Sequence, residues 1–288
     1  MYTAWLIYKK MDAADNHAYI EWFKEEAKKQ DIQLTLVLRE TMQIGVVENE
    51  RALFIDSTRV ELPDIAIVRT VEPLLNEFLE SLGVTVFNSA KVAKIANHKG
   101  LTHFEISKLG IPMVDTFFVS KEMLQKEKPP MPFPFVIKEV AGRGGRHVYL
   151  IKNIAEWDQQ LKTLVGKEWI IQQTNVQKGK DLRVFIVGKD IIGAVLRESS
   201  LDFRANYKLG GTASLYTLSR EEIAMINPII SHFDFGMVGI DFLIGKNDEL
   251  LFNEIEDVVG SRTLSAVSDV NILRTYLSFI KRTMDKQI

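Results

Sequence analysis

The stretch "MVGIDFLIGKNDELLFNEIEDVVG", residues 237–260, sets two apolar runs around the polar "KNDE" and then places Glu254, Glu256 and Asp257 within four positions. Two strand-like runs flanking a short polar turn predict a hairpin. If Gly245 faces Leu250 across a four-residue turn, Asp241 lies opposite Glu254, and Glu256 projects from that same face because strand side chains alternate. A five-residue turn would put Asp241 and Glu254 on opposite faces. The simplest reading of acids at a strand end is that water solvates them. In the first register, however, three carboxylates converge and repel one another unless a cation neutralises them. Hard oxygen ligands with no histidine among them suit Mg²⁺, which binds one or two carboxylates together with substrate phosphates.

Outward from this hairpin the second half of the chain keeps the same grammar. "DLRVFIVGKDIIGAVLRE" reads as a hairpin turning at Gly188-Lys189-Asp190, and "FVIKEV" and "RHVYLI" form another, joined by the glycine-rich "AGRGGR". Helices are expected through Trp157, Leu161 and Leu164, near 219–233, and from about Thr263 to Asp285; with the strand "EWIIQQ" this is an α+β pattern. The first ninety residues differ. "TAWLIY", a helix through Tyr19, Trp22, Phe23 and Ala27, "LTLVL", a hairpin in "IGVVENERALFID", "DIAIVR", a helix near 72–82 and "VTVFN" alternate strand and helix, which predicts a partly parallel α/β sheet. Ser89 is placed to cap a further helix that Gly110 and Pro112 close. Half of the eight prolines fall in "PPMPFPF", residues 129–135, a stiff connection between units.

Composition removes several function classes. With 46% apolar and 26% charged residues, a 288-residue chain folds around a sizeable core. A formal net charge of -2 argues against a general nucleic-acid or membrane-surface binder. The absence of cysteine rules out disulfides, a thiol nucleophile and thiolate zinc sites, and makes a cytoplasmic home the expectation. None of the five histidines falls at ligand spacing, and His98 is expected at the surface beside Lys99.

Mg²⁺ asks for phosphates, and two segments could hold them. Gly142, Gly144 and Gly145 allow backbone N–H groups to approach phosphate oxygens, with Lys138 four residues upstream of the first. In "DFRANYKLGG", residues 202–211, Arg204, Asn206 and Lys208 supply directed N–H donors. Either segment could equally be an ordinary turn or solvated loop.

The ordered set resembles the ATP-grasp superfamily, in its RimK-like branch of carboxylate–amine ligases. "FNSAKVAKIANHKGLTHFEISKLGIPMVDTF", "FPFVIKEVAGRGGRHVYLI", "WIIQQT", "GKDLRVFIVG", "FRANYKLGG", "VGIDFL" and "FNEIEDVVG" follow in family order between about residues 64 and 265. The resemblance implies an ATP-grasp fold: an N-terminal α/β domain over 1–90, then an ATP-grasp domain over 91–288 whose lobes, about 115–172 and 173–288, clasp the nucleotide. It implies Lys99 and Lys138 on the phosphates under Gly142, Gly144 and Gly145, Gln173 and Thr174 at the adenine-side hinge, and Asp181 near the nucleoside. It places Arg204 and Asn206 on phosphates and metal, and Asp241, Glu254 and Glu256 on Mg²⁺ or Mn²⁺. This chain departs from the branch in carrying Glu256 for the usual Asn and Gln173 for the usual Glu, and it lacks the proline common after the metal residues.

The implied chemistry is transfer of a phosphoryl group from ATP to a carboxylate, giving an acyl phosphate that an amine attacks. Such transfer needs positioning and charge more than covalent help. Alternatives are an ATP-sensing module without ligation, or ATP-grasp ligation to a thiol or to a D-amino acid. The substrates are expected to be small carboxylates and amines, amino acids or a peptide terminus among them, with Arg69, Arg143 and Arg197 as candidate carboxylate binders. Neither nucleic acid nor membrane is expected as a partner, and a homo-oligomer is compatible with the sequence.

Overall fold

The computed structural model describes residues 1–126, 128–145, 147–199 and 211–287. Strand β1 (Tyr2–Tyr8) leads through α1 (Lys10–Asp15) and α2 (His17–Lys28) to β2 (Ile32–Leu38). A small antiparallel sheet of β3 (Met42–Val47), β4 (Glu50–Ile55) and β5 (Thr58–Arg59) interrupts the alternation before β6 (Ile65–Val68), α3 (Pro73–Ser81) and β7 (Thr85–Phe87). The main N-terminal sheet runs β2-β1-β6-β7, all parallel. Both of its faces are covered, which is why Ile65–Val68 is apolar throughout and buried throughout. One face packs Leu6, Ile65 and Ile67 on Phe23 of α2; the other packs Ile7, Ala66 and Val68 on Leu75 and Leu79 of α3.

Two short helices, α4 (Ala90–Ala96) and α5 (Lys99–Ser107), join this sheet to a second one. That sheet contains β8 (Thr116–Ser120), β9 (Phe135–Glu139), β10 (Val148–Ile151) and β11 (Glu168–Gln173), antiparallel in the order β10-β9-β11-β8, with α6 (Lys121–Lys126) and α7 (Ile154–Leu161). The third sheet holds β12 (Val176–Val187), β13 (Asp190–Glu198), β14 (Thr212–Tyr216), β15 (Met237–Gly245) and β16 (Leu250–Glu256) in the antiparallel order β14-β13-β12-β15-β16. Helices α8 (Arg220–His232), α9 (Arg262–Val267) and α10 (Ile272–Asp285) complete it. The apolar face of α10, with Leu273, Tyr276, Leu277 and Ile280, joins the core of the N-terminal sheet, so first and last elements share one interior.

Three expectations need correction. The single helix read from Ser89 to Gly110 is two: Ser89 does cap α4 by accepting from the Val92 N–H, but Asn97 closes that helix on the Ala93 carbonyl and the His98 ring opens the next by accepting from Leu101 N–H. The final helix is likewise interrupted at residues 268–271, where Asn271 caps α10. In the third hairpin Ile244 faces Leu250, so the turn has five residues, Gly245 to Glu249. A bulge between Phe252 and Glu254 then restores Asp241 opposite Glu254 and sets Gly239 opposite Glu256. Phe252 and Ile255, three apart, both face the core, which leaves Asn253 and Glu254 together on the other side.

Candidate active site

One face of the third sheet carries charge where strands ordinarily carry apolar side chains. Asp181 and Arg183 stand two apart on β12, so they share a face, and the register brings Arg197 of β13 opposite Asp181 and Asp241 of β15 opposite Arg183. The contacts follow. Arg197 grips Asp181 at 2.6 and 2.8 Å, Arg183 grips Asp241 at 2.7 Å through both oxygens, and Arg197 adds a third bond to Asp241 at 2.8 Å. Arg183 also reaches Glu256. It does so across Gly239, where a Cβ would come within 3.3 Å of Arg183 Cδ and 2.9 Å of Val259 Cγ2; the glycine is there for close approach.

Burial opposes ionisation of Asp241, yet the two guanidinium groups outweigh it and hold this carboxyl well below the usual range. For Asp181 burial wins: its carboxyl is pushed up, with the like charge of Asp241 adding to the rise and Arg197 opposing it. Partial burial likewise opposes ionisation of Glu254, and the nearby Lys99 and Lys138 carry it below its ordinary value.

Helix α5 and the second sheet each supply a lysine to the same place. Lys99, in the first turn of α5, lies 3.2 Å from Glu254 and donates to the Gly142 carbonyl at 2.5 Å, while its own N–H donates to the Val140 carbonyl. Lys138 of β9 donates to Asn253 Oδ1 at 2.9 Å. Burial and the neighbouring Lys99 push the Lys138 ammonium down to about 8 despite the attraction of Glu254. Behind them His103 is buried: its Nδ1 donates to the Lys99 carbonyl, and the Gln172 amide donates to its Nε2. That arrangement fixes the neutral ring, which burial pushes down to about 4.

Each residue expected from the sequence can now be placed. Arg183 and Arg197 join Asp181, Asp241 and Glu256, Lys99 joins Gly142 to Glu254, and Lys138 holds Asn253 beside Glu254. Gly144 and Gly145, both at positive φ, form the end of the β9–β10 connection. Gln173 ends β11, its N–H donating to the Asp115 carbonyl, and the Thr174 hydroxyl donates to the Pro134 carbonyl, at the junction of the second and third sheets. Arg204 and Asn206 lie outside the described residues. Asp257 points away, bound by Asn88 and Asn97. His98 caps a helix. Arg197, expected as a carboxylate binder for substrate, is spent on Asp181 and Asp241.

The convergence of three carboxylates on one cation needs the same correction. Among the described residues no group of three such side chains stands close enough to hold an ion, because each carboxylate has turned to a basic partner. The fit to Mg²⁺ is therefore partial. Glu256 Oε2 is buried beside Arg183 yet accepts no hydrogen bond, whereas both Asp241 oxygens are taken by arginine forks. The residues missed from sequence are Arg183, Asn253, His103 and Gln172. The signal for Arg183 was present in "DLRVFIV", an apolar strand whose two charges fall on one face.

Comparison with known proteins settles the class. The profile of the RimK-like ATP-grasp domain matches residues 96–280. The chain belongs to the RimK-like ATP-grasp family. It is 28% identical over 235 residues to the glutamate–LysW ligase ArgX of Sulfurisphaera tokodaii, covering 77% of this chain and 83% of that one. In fold it is similar to a RimK domain ATP-grasp protein from Sphaerobacter thermophilus, with a TM-score of 0.74 at 15% identity over 96% of this chain and 98% of that one. It is also similar to the ATP-grasp ligase PsnB, solved with a precursor variant, Mg and ADP, with a TM-score of 0.67 at 13% identity over 98% and 99%. The RimK-like chain described here is an ATP-dependent carboxylate–amine ligase. No helix among its described residues is long and apolar enough to cross a membrane.

Proposed function

We propose that this ligase activates a substrate carboxylate as an acyl phosphate and passes it to the amine of an amino acid or peptide terminus, in the cytoplasm. In this reading the second and third sheets, within lobes of about 115–172 and 173–288, hold the nucleotide between them, and the unit over 1–90 helps to select the substrate. The observation that carries the reading is the pairing of two lysines, Lys99 of α5 and Lys138 of the second sheet, with the acid-bearing hairpin of the third. Lys99 and Lys138 approach Glu254 and Asn253 at 3.2 and 2.9 Å, where a polyphosphate needs cationic partners.

The roles then divide by chemistry. Lys99 and Lys138 bind the phosphates, with backbone N–H groups at Gly142, Gly144 and Gly145 over them. Gln173 and Thr174 border the adenine, and Asp181 the nucleoside side, through its bond with Arg197. Arg204 and Asn206 complete the phosphate set. Mg²⁺, when bound, would neutralise phosphate charge and polarise the transferred group. Glu254 and Glu256 are the ligands best placed for it, and Asp241 joins them only where its arginine forks yield. Substrate carboxylate and amine are brought together without a protein nucleophile, so the side chains position, exclude water and balance charge. The similarity to a glutamate ligase makes amino acids the first substrates to test.

The experiment is ADP release on incubation with MgATP and pools of acids and amines. Release that requires both an acid and an amine supports ligation; ATP binding without release under any pool favours a sensor. With a substrate pair in hand, Glu256→Ala is expected to lower turnover on the order of 10²-fold, while Glu256→Asn keeps most activity at higher Mg²⁺. Parent-like turnover of Glu256→Ala at every Mg²⁺ level would remove Glu256 from the metal set.

A further inference from the structure

Asp257 follows Glu256 and is buried, 4% exposed. Its two oxygens take two carboxamides: Oδ1 accepts from Asn88 Nδ2 at 2.7 Å and Oδ2 from Asn97 Nδ2 at 2.9 Å. Further contacts fix the orientation of both amides. Asn88 Oδ1 accepts from the Gly236 N–H at 2.6 Å while its Nδ2 also donates to the Met237 carbonyl, and Asn97 Nδ2 also donates to the Ala93 carbonyl at 2.8 Å. Neither amide can turn round without losing a bond, so the side chain between them must accept on both sides. Aspartate does so. Asparagine, with one acceptor and one donor, would set a donor against a donor on one side. Burial pushes the Asp257 carboxyl up, and the two amides oppose that rise.

These side chains join the open end of the acid-bearing hairpin to the turn before Lys99. Asn88, just after β7, touches Gly236 and Met237 at the start of β15 and Asp257 just past β16, so one amide spans both ends of the hairpin. A Cβ on Gly236 would come within 2.8 Å of Asn88 Oδ1, and the glycine permits that approach. Asn97 closes α4 and stands two residues before Lys99. The Lys99 N–H is tied at 3.0 Å to the carbonyl of Val140, which follows β9 of the second sheet. Lys99 is thus held from one side by the second sheet and from the other by Asp257 through Asn97.

We propose that Asp257 is a positioning residue, which through Asn97 sets where Lys99 stands relative to Glu254 and Glu256 of β16. This deepens the ligase reading and rests on it for the nucleotide that Lys99 meets. A lysine binds phosphate as a point charge on a flexible stem, so what it contributes depends on where its backbone is anchored. The 3.2 Å contact of Lys99 with Glu254 cannot be that anchor, because phosphate competes for the same ammonium. The bond from Asn97 to Asp257 involves no group that phosphate would claim, and it holds whichever partner Nζ takes. Asp257 therefore acts on the nucleotide only through Lys99, and removing its outer bond should matter only while Lys99 is present.

The test is a set of double-mutant cycles and needs no turnover. MgADP affinity is measured by calorimetry for Asp257→Asn in the parent, Lys99→Met and Lys138→Met backgrounds, and for the exchanged pair Asn97→Asp with Asp257→Asn. The expected result is a loss of roughly 10-fold in the parent and Lys138→Met backgrounds but less than about 2-fold in Lys99→Met. The exchanged pair, in which the amide at 257 donates to the carboxylate at 97, should recover half or more of the loss. A loss of equal size in all three backgrounds would mark a general structural role and overturn the proposal, as would no loss in the parent or a loss that the exchange leaves unrecovered. Should Asp257→Asn fail to fold, Asn97→Ala, which removes only the outer amide, is carried through the same backgrounds. Where a lysine background binds too weakly to read, the exchanged pair decides. A parent that fails to bind MgADP would instead overturn the ligase reading. Amide exchange at residues 97–101 then decides whether Asp257 holds the turn: faster exchange in Asp257→Asn supports it, and an unchanged rate overturns it.

Discussion

On the third sheet, Asp181, Arg183, Arg197, Asp241 and Glu256 form a row in which every charge touches its opposite, and Asp241 is held ionised well below its usual range. On the second sheet, Lys138 donates only to the neutral amide of Asn253, and its ammonium is pushed down to about 8. The first wall is internally neutralised and fixed in place; the second carries positive charge that the protein alone compensates only in part. In the proposed reading this division suits a polyphosphate, since a rigid wall would preorganise the site while the under-compensated cation would gain most from phosphate.

The comparison breaks most easily at Arg183. Arg183→Met would leave Asp241 with Arg197 alone and Glu256 without its cation, and is expected to cost about 3–5 kcal/mol of stability by chemical denaturation. A loss under about 1 kcal/mol would show that the row is not a scaffold. Lys138→Met should do the reverse: an unchanged or slightly raised melting temperature, but nucleotide affinity lower by about 10²-fold, measured by calorimetry. If stability fell and affinity did not, the two walls would have exchanged roles.

The smallest effect sharpens the contrast. Because the Lys138 pKa in the folded protein lies near 8, below its ordinary value, MgATP affinity should decline as pH rises through 8, and Lys138→Arg should flatten that decline. The sign for stability is opposite. Between about 8 and the ordinary lysine value of about 10.4 the unfolded chain binds the proton that the folded chain has lost. Lys138 therefore destabilises the fold below pH 8, and the penalty is relieved as pH rises across that window. A parent affinity profile that is flat from pH 7 to 9.5 would mean that Lys138 stays fully charged.

Much of this was legible in the sequence because strand alternation is local. The hairpins, their order, the parallel character of the first sheet, the lysine at the end of β9 and the facing of Asp241 and Glu254 follow from short segments, whereas Lys99 was marked only by the family resemblance. What escaped needed a third strand. Arg183 could be seen on the same face as Asp181, but that it would claim Asp241 depends on β12 lying beside β15, which neither hairpin read alone contains. Asn97 and His98 escaped for another reason: side chains that cap helix ends compete with continuing the helix, and here two adjacent ones won over an unbroken apolar pattern. The bond from Arg69 to the Val259 carbonyl is visible only once 190 residues of separation close.

The longer turn of the third hairpin and the bulge at Asn253 are two departures that cancel. Side-chain orientation along a strand is a matter of odd and even, so an extra turn residue alone would point Glu254 into the core, and an extra strand residue alone would do the same. Together they return the hairpin to the parity that a four-residue turn would have had. Removing one residue from the turn, or Asn253 by itself, should therefore damage the site far more than removing both. What the hairpin must keep is an even total, and relatives whose lengths differ here are expected to differ in pairs.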